Sequence, residues 1–128
     1  MLKHIKNLLL DKAIYIAFTI TISIAILSFI KVPSEGLYVS SSDKVSHSIA
    51  YFFLTLSWLY TILKKDHFYS WVKYTIAGCF IYGTVIEVIQ GAVTTYRTAS
   101  YLDMVANSVG ILLAILAFHM FEKKIRLI

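Results

Sequence analysis

The chain has 128 residues, of which 59% are hydrophobic and 15% charged, with a mean hydropathy of +0.75. A soluble domain normally carries about 25% charged residues, and one core of this length cannot hide so large an apolar excess. The net charge of +5 is spread in short clusters between apolar runs, which fits membrane topology and argues against a nucleic-acid-binding protein. The single cysteine, Cys79, excludes an internal disulfide.

In chain order, Lys3, Lys6 and Lys12 lead into a charge-free stretch over 13–30. At 1.5 Å per residue it spans roughly 27 Å, enough for the hydrocarbon core of a bilayer. Its basic start resembles a signal peptide, but no small-residue cleavage site follows, and the expectation is a retained first helix ended by Pro33. A loop with Gly36 and the serines Ser40, Ser41 and Ser42 precedes a second helix, over about 44–63. The charged turn Lys64-Lys65-Asp66-His67 separates it from a third, over about 71–93. A loop carrying Arg97 leads to a fourth, over about 100–121, and a basic tail with Lys123, Lys124 and Arg126 follows.

The expected fold is therefore all-α: one integral-membrane domain, 1–128, of four transmembrane helices in an up-down antiparallel bundle. Basic residues cluster at the N-terminal segment, the middle turn (Lys64, Lys65, with Lys73 nearby) and the tail. The other two loops hold only Lys31, Lys44 and Arg97. The positive-inside rule then predicts both termini in the cytoplasm. Ala106, Gly110 and Ala114 form a small-residue stripe that allows close approach of another helix, within the chain or in a homo-oligomer through helix four.

Polar side chains gather on particular helix faces. Asp43, His47 and Tyr51 recur every four residues, Glu87 and Gln90 form an i,i+3 pair, and Ser100, Asp103, Asn107 and Gly110 follow at offsets of 3, 4 and 3. The predicted topology brings all of them, with Lys44 and Arg97, to the outer leaflet. A charged residue at a bilayer centre costs about 2.5–3.5 kcal/mol on insertion scales, so several together point to one paired, hydrated pocket.

The candidate ligand-binding residues are Asp43, Lys44, His47, Tyr51, Glu87, Gln90, Arg97, Ser100, Asp103 and Asn107. Glu87, His47 and Asp103 are the candidates for acid–base catalysis. Asp43, His47, Glu87 and Asp103 would suit a hard divalent ion, yet no compact ligand motif supports a metal, and no cofactor is implied. A Ser/His/Asp triad through Ser100 or Ser46 lacks any group that would activate a particular serine.

The order Asp43-Lys44-x-x-His47-x-x-x-Tyr51, Glu87-x-x-Gln90 and Arg97-x-x-Ser100-x-x-Asp103-x-x-Ala106-Asn107-x-x-Gly110 resembles the VanZ-like family of small bacterial membrane proteins, over about residues 31–117. Ser48 stands where that family usually has an aromatic, and Ala114 where a second glycine often lies. The resemblance implies a multi-pass protein of the bacterial plasma membrane, acting in the cell envelope and linked to teicoplanin susceptibility. Two functions fit the residues: a binder of an envelope lipid or glycolipid headgroup, or an intramembrane enzyme working on a lipid-linked substrate. A transporter or flippase subunit is a third, weakened by the few polar groups in the cytoplasmic halves.

Overall fold

The computed structural model describes residues 1–29, 40–63, 65–93 and 101–127, with the backbone alone for 40–43 and 126. It is helical throughout: α1 Leu2–Phe29, α2 Ser40–Thr61, α3 Phe68–Val93 and α4 Tyr101–Leu127. Each reaches beyond its expected bounds, α2 and α3 by about a turn at their starts and α1 and α4 by more. α1 begins at Leu2 rather than near residue 13, because the lysines and Asp11 that end the apolar stretch are sound helix residues and neither Gly nor Pro interrupts them. α4 continues past residue 121, with Glu122 buried and Ile125 packed against the core, so the basic tail is the last part of the helix.

Among the described residues, α1, α3 and α4 are long and apolar enough to cross a membrane. Exposed Leu8, Ile22, Ile81, Val88, Val105 and Leu112 lie along these three, an apolar surface that water would penalise and lipid would accept. Together these features suggest a multi-pass membrane protein. α2 has the length, at 22 residues, but not the composition. Its position explains why: it packs against each of the other three helices, and Tyr51, Leu54, Thr55 and Leu59 are all but fully buried.

Side-chain pairs fix the helix directions. Lys44 meets Asp103, His47 meets Asn107 and Tyr60 meets Phe118, so α2 and α4 run side by side in the same sense. Tyr82 donates to the Thr21 carbonyl and Gln90 to the Ser28 carbonyl, so α1 and α3 also share a direction. Gly110 sets the α2–α4 spacing. A Cβ there would lie 2.2 Å from the Ser48 carbonyl oxygen and 3.1 Å from the Phe52 nitrogen, so only glycine permits this approach. Ala106 and Ala114, a turn on either side, are also buried. The small-residue stripe is thus occupied within the chain, by α2.

Two apolar clusters fill the rest. Leu59, Ile62, Leu63, Phe68 and Phe118 close one end of the bundle, and Tyr51, Leu54, Cys79 and Ile111 form its middle. At the closed end the chain turns through His67, held at φ 58°, a left-handed conformation that a histidine tolerates as a single residue. The Lys65 ammonium sits 4.6 Å from the Trp71 ring centre there. The opposite end belongs to the polar side chains.

Candidate functional site

The first three turns of α2 and α4 carry the site. Lys44 Nζ pairs with Asp103 Oδ1. One turn further in, His47 Nδ1 lies 3.0 Å from Asn107 Oδ1, and His47 Nε2 lies 3.9 Å from Asp103 Oδ2. Nδ1 thus faces the amide and Nε2 the carboxylate, and the tautomer of the ring sets which of the two contacts carries a proton. The Ser48 hydroxyl donates to the Ala106 carbonyl at 2.9 Å, and its own carbonyl presses on Gly110. These contacts repeat at helical spacing because residues 44, 47, 48 and 51 share one face of α2, as 103, 106, 107 and 110 share one face of α4.

α3 completes the wall. A Cβ on Gly83 would lie 2.9 Å from the Tyr51 ring and 3.0 Å from Asn107 Nδ2, so the α3 backbone rests against both side chains. Glu87, one turn beyond Gly83, is on the same face, is 1% exposed, and lies within electrostatic range of the Tyr51 hydroxyl. Asp103 and Asn107 are each 4% exposed, so the carboxyl groups of Glu87 and Asp103 both sit in a low-dielectric setting where partners matter.

The structure therefore brings Lys44, His47, Asp103 and Asn107 into contact, with Tyr51 and Glu87 adjoining. Gln90 is buried with them but turns its amide nitrogen to α1, bonding the Ser28 carbonyl at 2.5 Å. The Asp43 side chain, Arg97 and Ser100 lie outside the described residues. So does the Pro33 stop. No group of three or more His, Cys, Asp or Glu side chains is placed to hold a metal ion among the described residues.

Sequence reasoning missed three contributors. Gly83 is the first, and its offset of four from Glu87 in an apolar helix is a usable signal of close backbone approach. The Ser28 carbonyl leaves no mark in a side-chain pattern. Thr21 is the third: its hydroxyl accepts from Trp58 Nε1 at 3.0 Å and donates to the Ala17 carbonyl at 2.7 Å, while its carbonyl takes the Tyr82 hydroxyl. One residue of α1 thereby ties α2 and α3 together.

Chemically, the arrangement offers a carboxylate bridged between an ammonium and an imidazole, an amide that fixes the imidazole, and a second acid held close by. It can orient a polar headgroup by hydrogen bonds and charge, or move a proton between His47 and Asp103.

Fold and site thus define a helical, membrane-type chain with a buried charged cluster at one end of the bundle. No family model matches the chain, and no solved structure does. The chain is similar to an uncharacterized protein of the fission yeast Schizosaccharomyces pombe, 31% identical over 93 residues, which is 71% of this chain and 55% of that protein. The chain thus spans about half the length of that relative.

Proposed function

We propose that this chain is a VanZ-like membrane protein whose four helices all cross the bilayer, up and down, with both termini in the cytoplasm. Its polar pocket, at the outer leaflet, binds the headgroup of an envelope lipid or glycolipid. The observation that carries the reading is the Lys44–Asp103–His47–Asn107 cluster, built between two non-consecutive helices and walled by Gly83 and Glu87 of a third. Four charged or titratable groups gathered at one depth, on helices with an apolar exterior, are costly to keep without a role. The topology is supported by the charge pattern: Lys3, Lys65 and Lys123 belong to the end of the bundle opposite the cluster, as the positive-inside rule requires of a cytoplasmic face. α2 is the least apolar helix, and its central place shields it from lipid.

The bacterial plasma membrane and a link to teicoplanin susceptibility rest on the resemblance of the motifs; a similar sequence also occurs in fission yeast. Arg97 and Ser100, from the segment that precedes α4, would add a guanidinium and a hydroxyl for an anionic or sugar headgroup.

The test is native mass spectrometry of the protein purified in mild detergent from envelope membranes. An envelope lipid other than bulk phospholipid is expected on the wild type and absent from Asp103→Asn and Arg97→Ala. A spectrum of bulk phospholipid alone, identical in all three, overturns the proposal.

A second reading is favoured by the His47–Asp103 distance and the burial of Glu87: an intramembrane enzyme in which these groups perform acid–base chemistry on a lipid-linked substrate. Glu87→Gln separates the two. It abolishes turnover while sparing lipid retention if the protein is an enzyme; a binder forms no product from any envelope lipid extract.

A further inference from the structure

At the end of the bundle away from the polar cluster, α1 and α2 part to leave a groove of about 420 Å³. That volume is in the usual range of small-ligand sites, roughly 300–1,000 Å³. Its walls are two facing helical stripes, among them Leu9 and Ile16 of α1 and Phe53 and Tyr60 of α2, and Ile125 of α4 belongs to its lining. Among the described residues the lining is apolar apart from the hydroxyls of Ser57 and Tyr60 and one ammonium, that of Lys6.

An elongated apolar channel with a single cation calls for an elongated apolar ligand with an anionic head. The surroundings point the same way. Lys3, Lys12, Lys65, Lys123 and Lys124 lie toward this end and outnumber Asp11, Asp66 and Glu122, so the local field attracts anions. The same field disfavours a second copy of the chain as occupant. Two copies inserted in the same sense would bring their basic ends together along the seam.

We propose that this groove seats one acyl chain of an anionic phospholipid, with the phosphate held by Lys6. The site is separate from the polar cluster and depends only on the chain lying in a membrane. The polar end would take its headgroup in one leaflet; the groove takes its lipid from the other.

The experiment places the full chain in micelles holding equal amounts of phosphatidylglycerol and phosphatidylcholine and reads bound mass by native mass spectrometry. One phosphatidylglycerol is expected to stay bound in preference to phosphatidylcholine. Lys6→Gln should cut that preference about five-fold, the worth of one surface lysine near anionic lipid. Lys73→Gln removes the same charge outside the groove and should leave the preference intact. Leu9 is 57% exposed, so Leu9→Trp adds bulk in the groove without disturbing the core and should remove both lipids. Lys6→Gln alters no packed core atom, so the preference can be read even where the tryptophan variant fails to fold. Equal retention of the two lipids, a preference indifferent to Lys6→Gln, or a dimer mass in place of bound lipid overturns the proposal.

Discussion

The seam between α2 and α4 changes character along its length. In its first half Lys44, His47 and Ser48 meet Asp103, Asn107 and Gly110 through an ion pair, hydrogen bonds and backbone contact. In its second half Leu59 and Tyr60 meet Phe118, joined by Ile62, Leu63 and Phe68, chiefly through ring and methyl contacts, with Glu122 buried at that end. The same two helices thus carry one interface that depends on directed geometry and one that depends on filled volume. In lipid the second kind gains little from apolar burial, because the surrounding tails are as apolar as the core, and what remains is close packing. The first kind is exacting, since a shift of an ångström separates a bonded pair and leaves a charge unmatched. Substitutions in the polar half should therefore cost more, for less volume changed, than those in the apolar half.

The largest effect is expected at Gly110, where the two backbones touch. Gly110→Leu places its Cβ inside the Ser48 carbonyl, and no side-chain rotation relieves a clash with backbone. The helices must separate along the polar half, breaking Lys44–Asp103 and His47–Asn107 together. The expected result is loss of the folded monomer, seen as aggregation in size-exclusion chromatography and loss of a cooperative thermal transition. A variant that melts like the wild type would show that the close approach does not set the seam.

Next comes Asp103→Ala. It removes the carboxylate that pairs with the Lys44 ammonium and faces His47. Breaking a fully buried pair costs about 3–5 kcal/mol, and the Lys44 side chain is 27% exposed, so about 2–3 kcal/mol is the better figure, with the stem free to snorkel outward. Lys44→Met in the same chain should restore most of the loss, because the cation that Asp103 balances goes with it. A double variant as unstable as the single would place the cost in lost packing instead and remove the contrast between the two halves.

Much of this was legible in the residues. Helical period and charge clusters gave four helices, and offsets of three and four placed Asp103, Asn107 and Gly110 on one face of α4, where they are found. What periodicity cannot supply is the identity of the neighbour. Short connections suggest that consecutive helices are partners, yet the most extensive contact joins α2 to α4, which are not consecutive. The stripe of Ala106, Gly110 and Ala114 announced a close approach without saying to what. On α2, spacing grouped His47 with Tyr51, and the contact with α4 adds Ser48, whose hydroxyl bonds a backbone carbonyl. Gln90 was grouped with Glu87 by spacing, but its amide nitrogen bonds a backbone carbonyl of α1, and acceptors of that kind are present at every residue and distinguish none. The early start of α1 was missed for a different reason. Charge marks where a membrane ends, whereas a helix ends only where a proline, a glycine or a cap ends it.

In the apolar half, Phe118→Ala empties a site between the rings of Tyr60 and Phe68. A soluble core would lose about 3–5 kcal/mol. With lipid rather than water as the reference, only the lost contacts and the cavity count, and about 1–2 kcal/mol is expected by thermal unfolding in bilayer-like micelles. Transfer of the protein to a short-chain detergent that admits water should raise the cost toward the soluble figure. A cost equal to or above that of Asp103→Ala in the same micelles would reverse the ranking of the two halves.

The smallest effect is expected on the outward face of the same helix. Leu112 is 59% exposed, only two residues from Gly110, and points away from α2. In water its truncation would be a mild surface change; in lipid it exchanges protein–lipid contacts for lipid–lipid contacts, and less than about 0.5 kcal/mol should be lost. Leu112→Ala and Gly110→Leu therefore form a matched pair, two residues apart in sequence and opposite in expected outcome. Leu112→Asp sharpens the comparison. A carboxylate on that face has no helix to pair with and must be carried into hydrocarbon, at about 2.5–3.5 kcal/mol near the bilayer centre. If Leu112→Asp is tolerated as well as Leu112→Ala in reconstituted vesicles, that face of α4 is not in contact with lipid, and the polar half is no longer exceptional among apolar surroundings.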